Sequence, residues 1–321
     1  MENYKKINQI ADHHNCENNQ PDFIVAASFG HKIPRNLIED CNFAALNVHG
    51  SILPDFRGAT PLQHAIMTHR KFTGVTLQIM DPKKIDTGDI VLVSDKIELC
   101  KNTFFKQLKL DAARIGANLL TDFFNHSPGP EFYLKNRKSQ PQYTTSPYAK
   151  IVNYNREMEV LFLDSKNNPL IYDNIWAKFR VYEKLNLKIH KEDGKVLRVT
   201  VTDLELVSYD ENSMDFDNNQ LISHLFSCSD NLESGTILGC VTTSGTRESY
   251  IVGHSELEPI IRHKKSIMKI KEVKIKGKRM NGEDFYKNWI PKSQRVSRVK
   301  GSDEQISYSL IEPTDVYSFF L

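Results

Sequence analysis

Asn47 and His49 stand two residues apart in Ala44-Ala45-Leu46-Asn47-Val48-His49-Gly50-Ser51-Ile52-Leu53-Pro54. On a strand, alternation puts Leu46 and Val48 on one face and Asn47 and His49 on the other. The apolar pair can anchor in a core; the polar pair must be satisfied by a partner or be available for chemistry. Gly50, Ser51 and Pro54 end the strand in a turn at its carboxyl end, where open α/β sheets bind ligands. Asp86, in Asp86-Thr87-Gly88-Asp89, offers a carboxylate from a second strand end. Amide, imidazole and carboxylate together suit acyl-type transfer. The amide donates to a developing oxyanion, the imidazole moves the nucleophile's proton, and the carboxylate holds the imidazole tautomer and raises its pKa. No Ser or Cys is required if the acceptor brings its own nucleophile. On pattern alone, an Asn and a His at a strand end are more often satisfied turn residues. Asp-Thr-Gly alone would suggest an aspartic protease, which needs a second copy in a β-rich domain; the chain has neither.

The elements that must carry these residues alternate. Phe23–Ala27 is a continuous apolar run of the buried, parallel-strand type, and Pro34 starts a helix reaching Asp40. After the Asn47/His49 strand, Thr60 as N-cap and Pro61 at the first helical position open a helix running to about His69. Gly74–Met80 alternates as a strand, Asp81-Pro82 begins a loop ending in Asp86–Asp89, and Ile90–Val93 resumes extended structure. Thr103 caps a long helix to Phe124 whose inner face carries Leu108, Ala112, Ile115, Leu119 and Phe123. This predicts an α/β domain over 1–126 with a Rossmann-like, largely parallel sheet, incomplete at its N-terminal side. Residues 127–150, rich in Pro and polar side chains, read as an extended linker. Over 151–321 a helix at 174–183 is followed by short strands at 196–207, 236–243, 249–252 and 268–275, which suggests a small β-barrel of the OB type. Residues 208–235 read as a surface insertion.

Of 321 residues, 40% are hydrophobic and 26% charged, ordinary for a globular chain of two domains. The five cysteines (16, 41, 100, 228, 240) are widely spaced with no CxxC, against a disulfide framework or zinc site. No metal is expected. His64 and His69 lack a Glu in zinc-protease spacing, and His13 and His14 read as loop residues. No apolar run approaches a membrane span, and Met1–Asn19 has no signal-peptide or Arg-rich targeting pattern. The net charge of +2 conceals a segment, 262–300, with 14 basic and three acidic residues, leaving about −9 on the remainder. A basic block on an otherwise acidic chain suggests a polyanionic partner, although charge runs are as often solvated faces.

The run Asn47-Val48-His49-Gly50-Ser51-Ile52-Leu53-Pro54-Asp55-Phe56-Arg57-Gly58-Ala59-Thr60-Pro61-Leu62-Gln63, with Gly74-Val75-Thr76 and Asp86-Thr87-Gly88-Asp89, closely resembles the 10-formyltetrahydrofolate-dependent formyltransferases. Within them it is similar to the methionyl-tRNA formyltransferases, and the fungal mitochondrial type in particular. The resemblance covers about Phe23 to Phe124. A weaker one at Lys276-Gly277-Lys278-Arg279-Met280 and Asp284-Phe285 extends it to the C-terminal part.

The resemblance implies a catalytic trio. Asn47 would polarise the formyl carbonyl, His49 would shuttle protons, and Asp86 would tune His49. Ala27–Ile33 (with Phe29, Gly30 and Ile33), Ser51, Leu53-Pro54 (as a cis peptide), Arg57, Gly58 and the 81–89 loop would form the folate pocket. The donor would be 10-formyltetrahydrofolate, and the acceptor the amine of initiator methionyl-tRNA. Lys269, Lys271, Lys274, Lys276, Lys278 and Arg279 would track its phosphates. It further implies a monomer in the mitochondrial matrix, without membrane or protein partner. Two departures stand out. Asp55 occupies a position usually Arg in bacterial members. The family's first strand, following helices and acceptor-stem loop precede the region where this chain starts, which points to an incomplete or alternative start. A sheet lacking that strand should expose Phe23–Ala27. A small-acceptor formyltransferase or hydrolase, and an inactive RNA-binding remnant, remain alternatives.

Overall fold

The computed structural model describes residues 20–125, 127–141, 146, 148–151, 171–190, 196–208, 237–241, 247–253, 266–289, 297–298 and 306–307. The chain forms two compact units, Met1–Val152 and Asn153–Leu321. The polar N-terminus, His13, His14, the 209–235 insertion and the ends of the basic segment lie outside the described residues.

In the first unit, β1 (Phe23–Ala27), β2 (Ala44–His49), β4 (Thr76–Ile79) and β5 (Ile90–Val93) form a sheet in the order β1-β2-β4-β5. Only β1 and β2 are parallel; β2/β4 and β4/β5 are antiparallel. The sheet is therefore mixed, and the Rossmann-like parallel expectation is corrected. Alternating strand and helix patterns carry no information on strand direction. The short helix α2 (Pro61–Met67) between β2 and β4 packs on α3 (Phe105–Asn125), so β4 returns beside β2 in the opposite sense. The 80–89 loop then joins β4 to β5 as neighbours. The small helix α1 (Arg35–Glu39) links β1 to β2, and β3 (Phe72–Thr73) pairs with β6 (Ile97–Glu98).

One face of β2 is covered by α3. Leu46, Leu77, Ala44 and Phe123 are buried together, with Val48, Ile79 and Phe23 against them. The inner line of α3 is Leu108, Ala112, Gly116, Leu119 and Phe123. Gly116 takes the close-approach place: a Cβ there would lie 2.6 Å from Val48 Cγ1. Ile115 is only half-buried. The Thr103 hydroxyl accepts from the Cys100 N–H in the turn that precedes α3. Among the described residues β1 is an edge strand, with Val25 42% exposed.

Where described, the segment expected to be a linker is built into the first unit. Helix α4 (Pro130–Lys135) packs on α3 and β5, and its Tyr133 and Leu134 join the core. Lys138 bridges to Ile90, and fully buried Ala149 bridges to Gly58. The Thr60 hydroxyl donates to the Lys150 carbonyl at 2.7 Å instead of capping α2. A proline-rich, polar composition reports the absence of periodicity, not the absence of packing.

In the second unit, α5 (Ile171–Tyr182) precedes an antiparallel sheet of β7 (Leu185–His190), β8 (Val196–Ser208), β11 (Ser266–Ile275), β10 (Arg247–Gly253) and β9 (Ile237–Val241), in that order. The final two-stranded piece is β13 (Ser297–Arg298) with β14 (Ile306–Ser307). Strand β12 (Lys278–Asn281) shares the β10 edge of β11 through a tight hairpin at Lys276 and Gly277, both at positive φ (47° and 84°). Helix α6 (Gly282–Trp289) follows, with the Asn281 side chain accepting from the Asp284 N–H. Among the described residues the sheet is open, with β7 and β9 at its ends.

Candidate active site

The trio assembles on the face of β2 away from α3. Asn47 stands opposite Gln78 on β4, and His49 opposite Thr76. Asp86 is carried to the same face by the 80–89 loop, whose neck is closed by the Ile79 N–H donating to the Asp89 carbonyl at 2.9 Å. Within the loop, Asp81 Oδ1 accepts from the backbone N–H groups of Lys83 and Lys84. Gly88 is required because a Cβ there would fall on the Ile79 carbonyl oxygen. Asp86 itself lies at φ 55°, a left-handed conformation that surrounding bonds must hold. The expected strand reading of both polar residues is met, and the Leu53–Pro54 peptide is cis.

The Asp86 carboxylate, 10% exposed, accepts three hydrogen bonds. Asn47 Nδ2 and Gln78 Nε2 donate to Oδ1 at 3.2 and 2.7 Å, and the Gly58 N–H donates to Oδ2 at 2.8 Å. His49 is buried, 4% exposed. Its Nε2 lies 3.0 Å from the Phe56 carbonyl, which can only accept, so Nε2 carries the hydrogen. That leaves Nδ1 as the basic nitrogen, 3.7 Å from Asp86 Oδ2. The tautomer is set by a backbone carbonyl rather than by the carboxylate. Burial pushes the His49 pKa below 6.5, outweighing the Asp86 charge and the Phe56 bond, which raise it. The carboxylate raises the imidazole pKa as expected, but desolvation outweighs it at this depth and the net shift is downward.

The residues assigned to a folate pocket divide. Gly58 touches the trio through Asp86. Ser51, Leu53 and Arg57 are buried and engaged in the turn. The Ser51 hydroxyl donates to the Asp55 carbonyl, and the Leu53 N–H donates to Thr76 Oγ1. Arg57 donates through Nε and Nη2 to Gln140, and through Nη2 to the Pro141 carbonyl. Phe29 and Gly30 are exposed; Ile33 and Pro54 are half-buried.

Gln78, Gln140 and Tyr148 join the site without a signal in the linear sequence. Only the β2/β4 register places Gln78 beside Asn47. Tyr148 packs against Gly58, and burial followed by the Asp86 charge raises its hydroxyl pKa. Among the described residues no cluster of three or more His, Cys, Asp or Glu could hold a metal.

In the second unit, a bulge in β11 between Ile270 and Val273 shifts the alternation. Met268, Ile270, Val273 and Ile275 are buried, while Lys269, Lys271, Lys274 and Lys276 all point away from them. Lys271 pairs with Glu205 at 3.3 Å and Arg279 with Glu272 at 3.7 Å. Lys274, Lys276 and Lys278 are exposed and make no ion pair among the described residues.

An amide, a basic imidazole nitrogen and a hydrogen-bonded carboxylate on one sheet face are a group set suited to acyl transfer to an external nucleophile. Residues 3–120 match the model of the formyl transferase family. The relatives it is similar to include methionyl-tRNA formyltransferases from three bacteria. That of Caldicellulosiruptor saccharolyticus is 25% identical over 83% of this chain and 70% of the relative. That of Finegoldia magna is 30% identical over 44% of this chain and 46% of the relative. That of Ligilactobacillus salivarius is 47% identical over 26% of each. The chain thus spans less than half the length of two of these three relatives.

Proposed function

We propose that this chain transfers the formyl group of 10-formyltetrahydrofolate to the amino group of methionyl-tRNA, the product serving translation initiation. The observation that carries this reading is the convergence of Asn47, His49 and Asp86 at one face of β2. The donor set suits a formyl amide: one Asn47 amide hydrogen is held by Asp86, and the second is available to a carbonyl oxygen. When bound, the donor supplies an activated carbonyl whose nitrogen can leave. Asn47 then stabilises charge building on the carbonyl oxygen. His49 Nδ1 takes the proton lost by the attacking amine as the new C–N bond forms. It returns that proton to the departing nitrogen as the old bond breaks. Asp86 orients Asn47 and stabilises the imidazolium that exists between these two transfers. Phe29 and Ile85, exposed beside the site's loops, offer apolar surface to a pterin ring.

The acceptor reading draws on the relatives' names and on the basic face of β11 and β12, where exposed lysines suit a phosphate backbone. The second unit is read as the wall of an OB-like barrel. A monomer in the mitochondrial matrix is proposed from the family resemblance.

The test incubates the purified chain with charged initiator tRNA and 10-formyltetrahydrofolate and assays formyl-methionine. Product is expected, and His49→Gln or Asp86→Asn should lower kcat by roughly 10²–10⁴-fold. Formate release without tRNA would replace the acceptor by water. Binding of tRNA with no turnover would leave the remnant reading.

A further inference from the structure

Gln140 has a side-chain amide with no ambiguity of orientation. Its Oε1 accepts from Arg57 Nε at 3.1 Å and Nη2 at 2.8 Å, and a guanidinium has only donors. Its Nε2 must therefore face the other way. There it meets the Gly88 carbonyl at 2.7 Å, the Asp86 carbonyl at 3.2 Å and Gln78 Oε1 at 3.3 Å. With Oε1 engaged by Gln140, Gln78 presents its own Nε2 to Asp86 Oδ1 at 2.7 Å. The direction of every bond in this relay is set by the donor-only Arg57, which is 8% exposed. The relay ends at a residue at positive φ, whose backbone and carboxylate it grips at once.

We propose that Gln140 is a positioning residue for Asp86, fixing the carboxylate that faces His49 through Gln78 and through the Asp86–Gly88 backbone. The inference rests on the formyl-transfer reading only for its kinetic consequence. Gln140 belongs to the stretch after α4, so a segment outside the strand–helix pattern completes the site. The groups acting on His49 are the Asp86 carboxylate from the loop and the Phe56 carbonyl; Tyr148 acts on it only by way of Asp86, and Arg57 is turned to Gln140.

Two variants of the full chain separate positioning from packing. Gln140→Glu keeps an acceptor for Arg57, and as a charged one strengthens it, but presents no N–H to the loop. If Gln140 served only to bury Arg57, this variant would keep full activity. Positioning predicts faster amide exchange at residues 86–89 and a kcat lower by about 10–100-fold with acceptor KM within about twofold. Gln140→Met removes every bond without adding charge; because the Asp86 carboxylate raises the His49 pKa, its displacement should leave the imidazole, followed by NMR, titrating further below 6.5 than in the parent chain. Wild-type exchange at 86–89 in both variants together with an unmoved His49 titration would overturn the proposal. If the parent chain transfers no formyl group, the functional reading fails, while exchange and titration still decide the role of Gln140.

Discussion

His49 has each nitrogen placed by a different part of the fold, and this decides its acid–base behaviour. The Phe56 carbonyl holds the hydrogen on Nε2, so proton transfer belongs to Nδ1, the nitrogen nearer Asp86. Burial keeps the ring neutral in the folded chain below its usual 6.5. The linkage to stability follows directly. Between the folded pKa and 6.5 the unfolded chain binds a proton that the folded chain refuses. Stability therefore falls as pH drops through that window, with a slope of at most about 1.4 kcal/mol per pH unit from this group. Above the window His49 contributes no slope. Urea midpoints measured from pH 7.5 to 5.5 should fall less steeply in His49→Gln than in the parent. Parallel curves would show that the ring is not held neutral.

At the scale of elements, the site depends on how closely α3 approaches β2. Leu46 and Val48 face the helix, and their neighbours Asn47 and His49 face the opposite side of the same strand. Any displacement of the strand moves the chemistry. Gly116→Ala tests this close approach. In an exposed helix the change would stabilise by roughly 0.5–1 kcal/mol. Here the new methyl meets Val48 Cγ1 at 2.6 Å, and overpacking of this kind costs about 1–3 kcal/mol. Net destabilisation is expected in denaturant titration, partly relieved by adding Val48→Ala, which removes the opposing methyl. A stabilised Gly116→Ala would mean that the helix stands further from the strand.

For the whole molecule, each unit carries a different kind of information: the first holds a reaction geometry, the second a charged face. The β11 irregularity matters because lysines at 269, 271, 274 and 276 are not evenly spaced, and strict alternation from Lys269 and Lys271 would turn the last two inward. Replacing Lys274, Lys276 and Lys278 by Gln should weaken tRNA binding. It should also flatten the dependence of log affinity on log salt, by close to one for each phosphate no longer neutralised. An unchanged slope in a filter-binding series would place the RNA elsewhere. Because these side chains lie outside the reacting trio, kcat at saturating tRNA should be retained.

The trio itself was legible in the sequence, since strand alternation and a tight Asp-Thr-Gly turn are local properties that a linear reading can follow. So were α3, most strands and the basic block, all of which have periodic or compositional signatures. Strand direction was not, because a helix joining two strands looks the same in sequence whether or not it crosses the sheet. Nor was the tautomer of His49, which depends on the Phe56 carbonyl in a turn, or the sign of its pKa shift, which depends on burial. The partner of Arg57 was not legible either: Gln140, 83 residues away, meets its guanidinium only in the fold. Composition and spacing name the groups that can do chemistry. Which of them are free, which are held, and in which protonation state follows from long-range interactions that only the folded chain brings together.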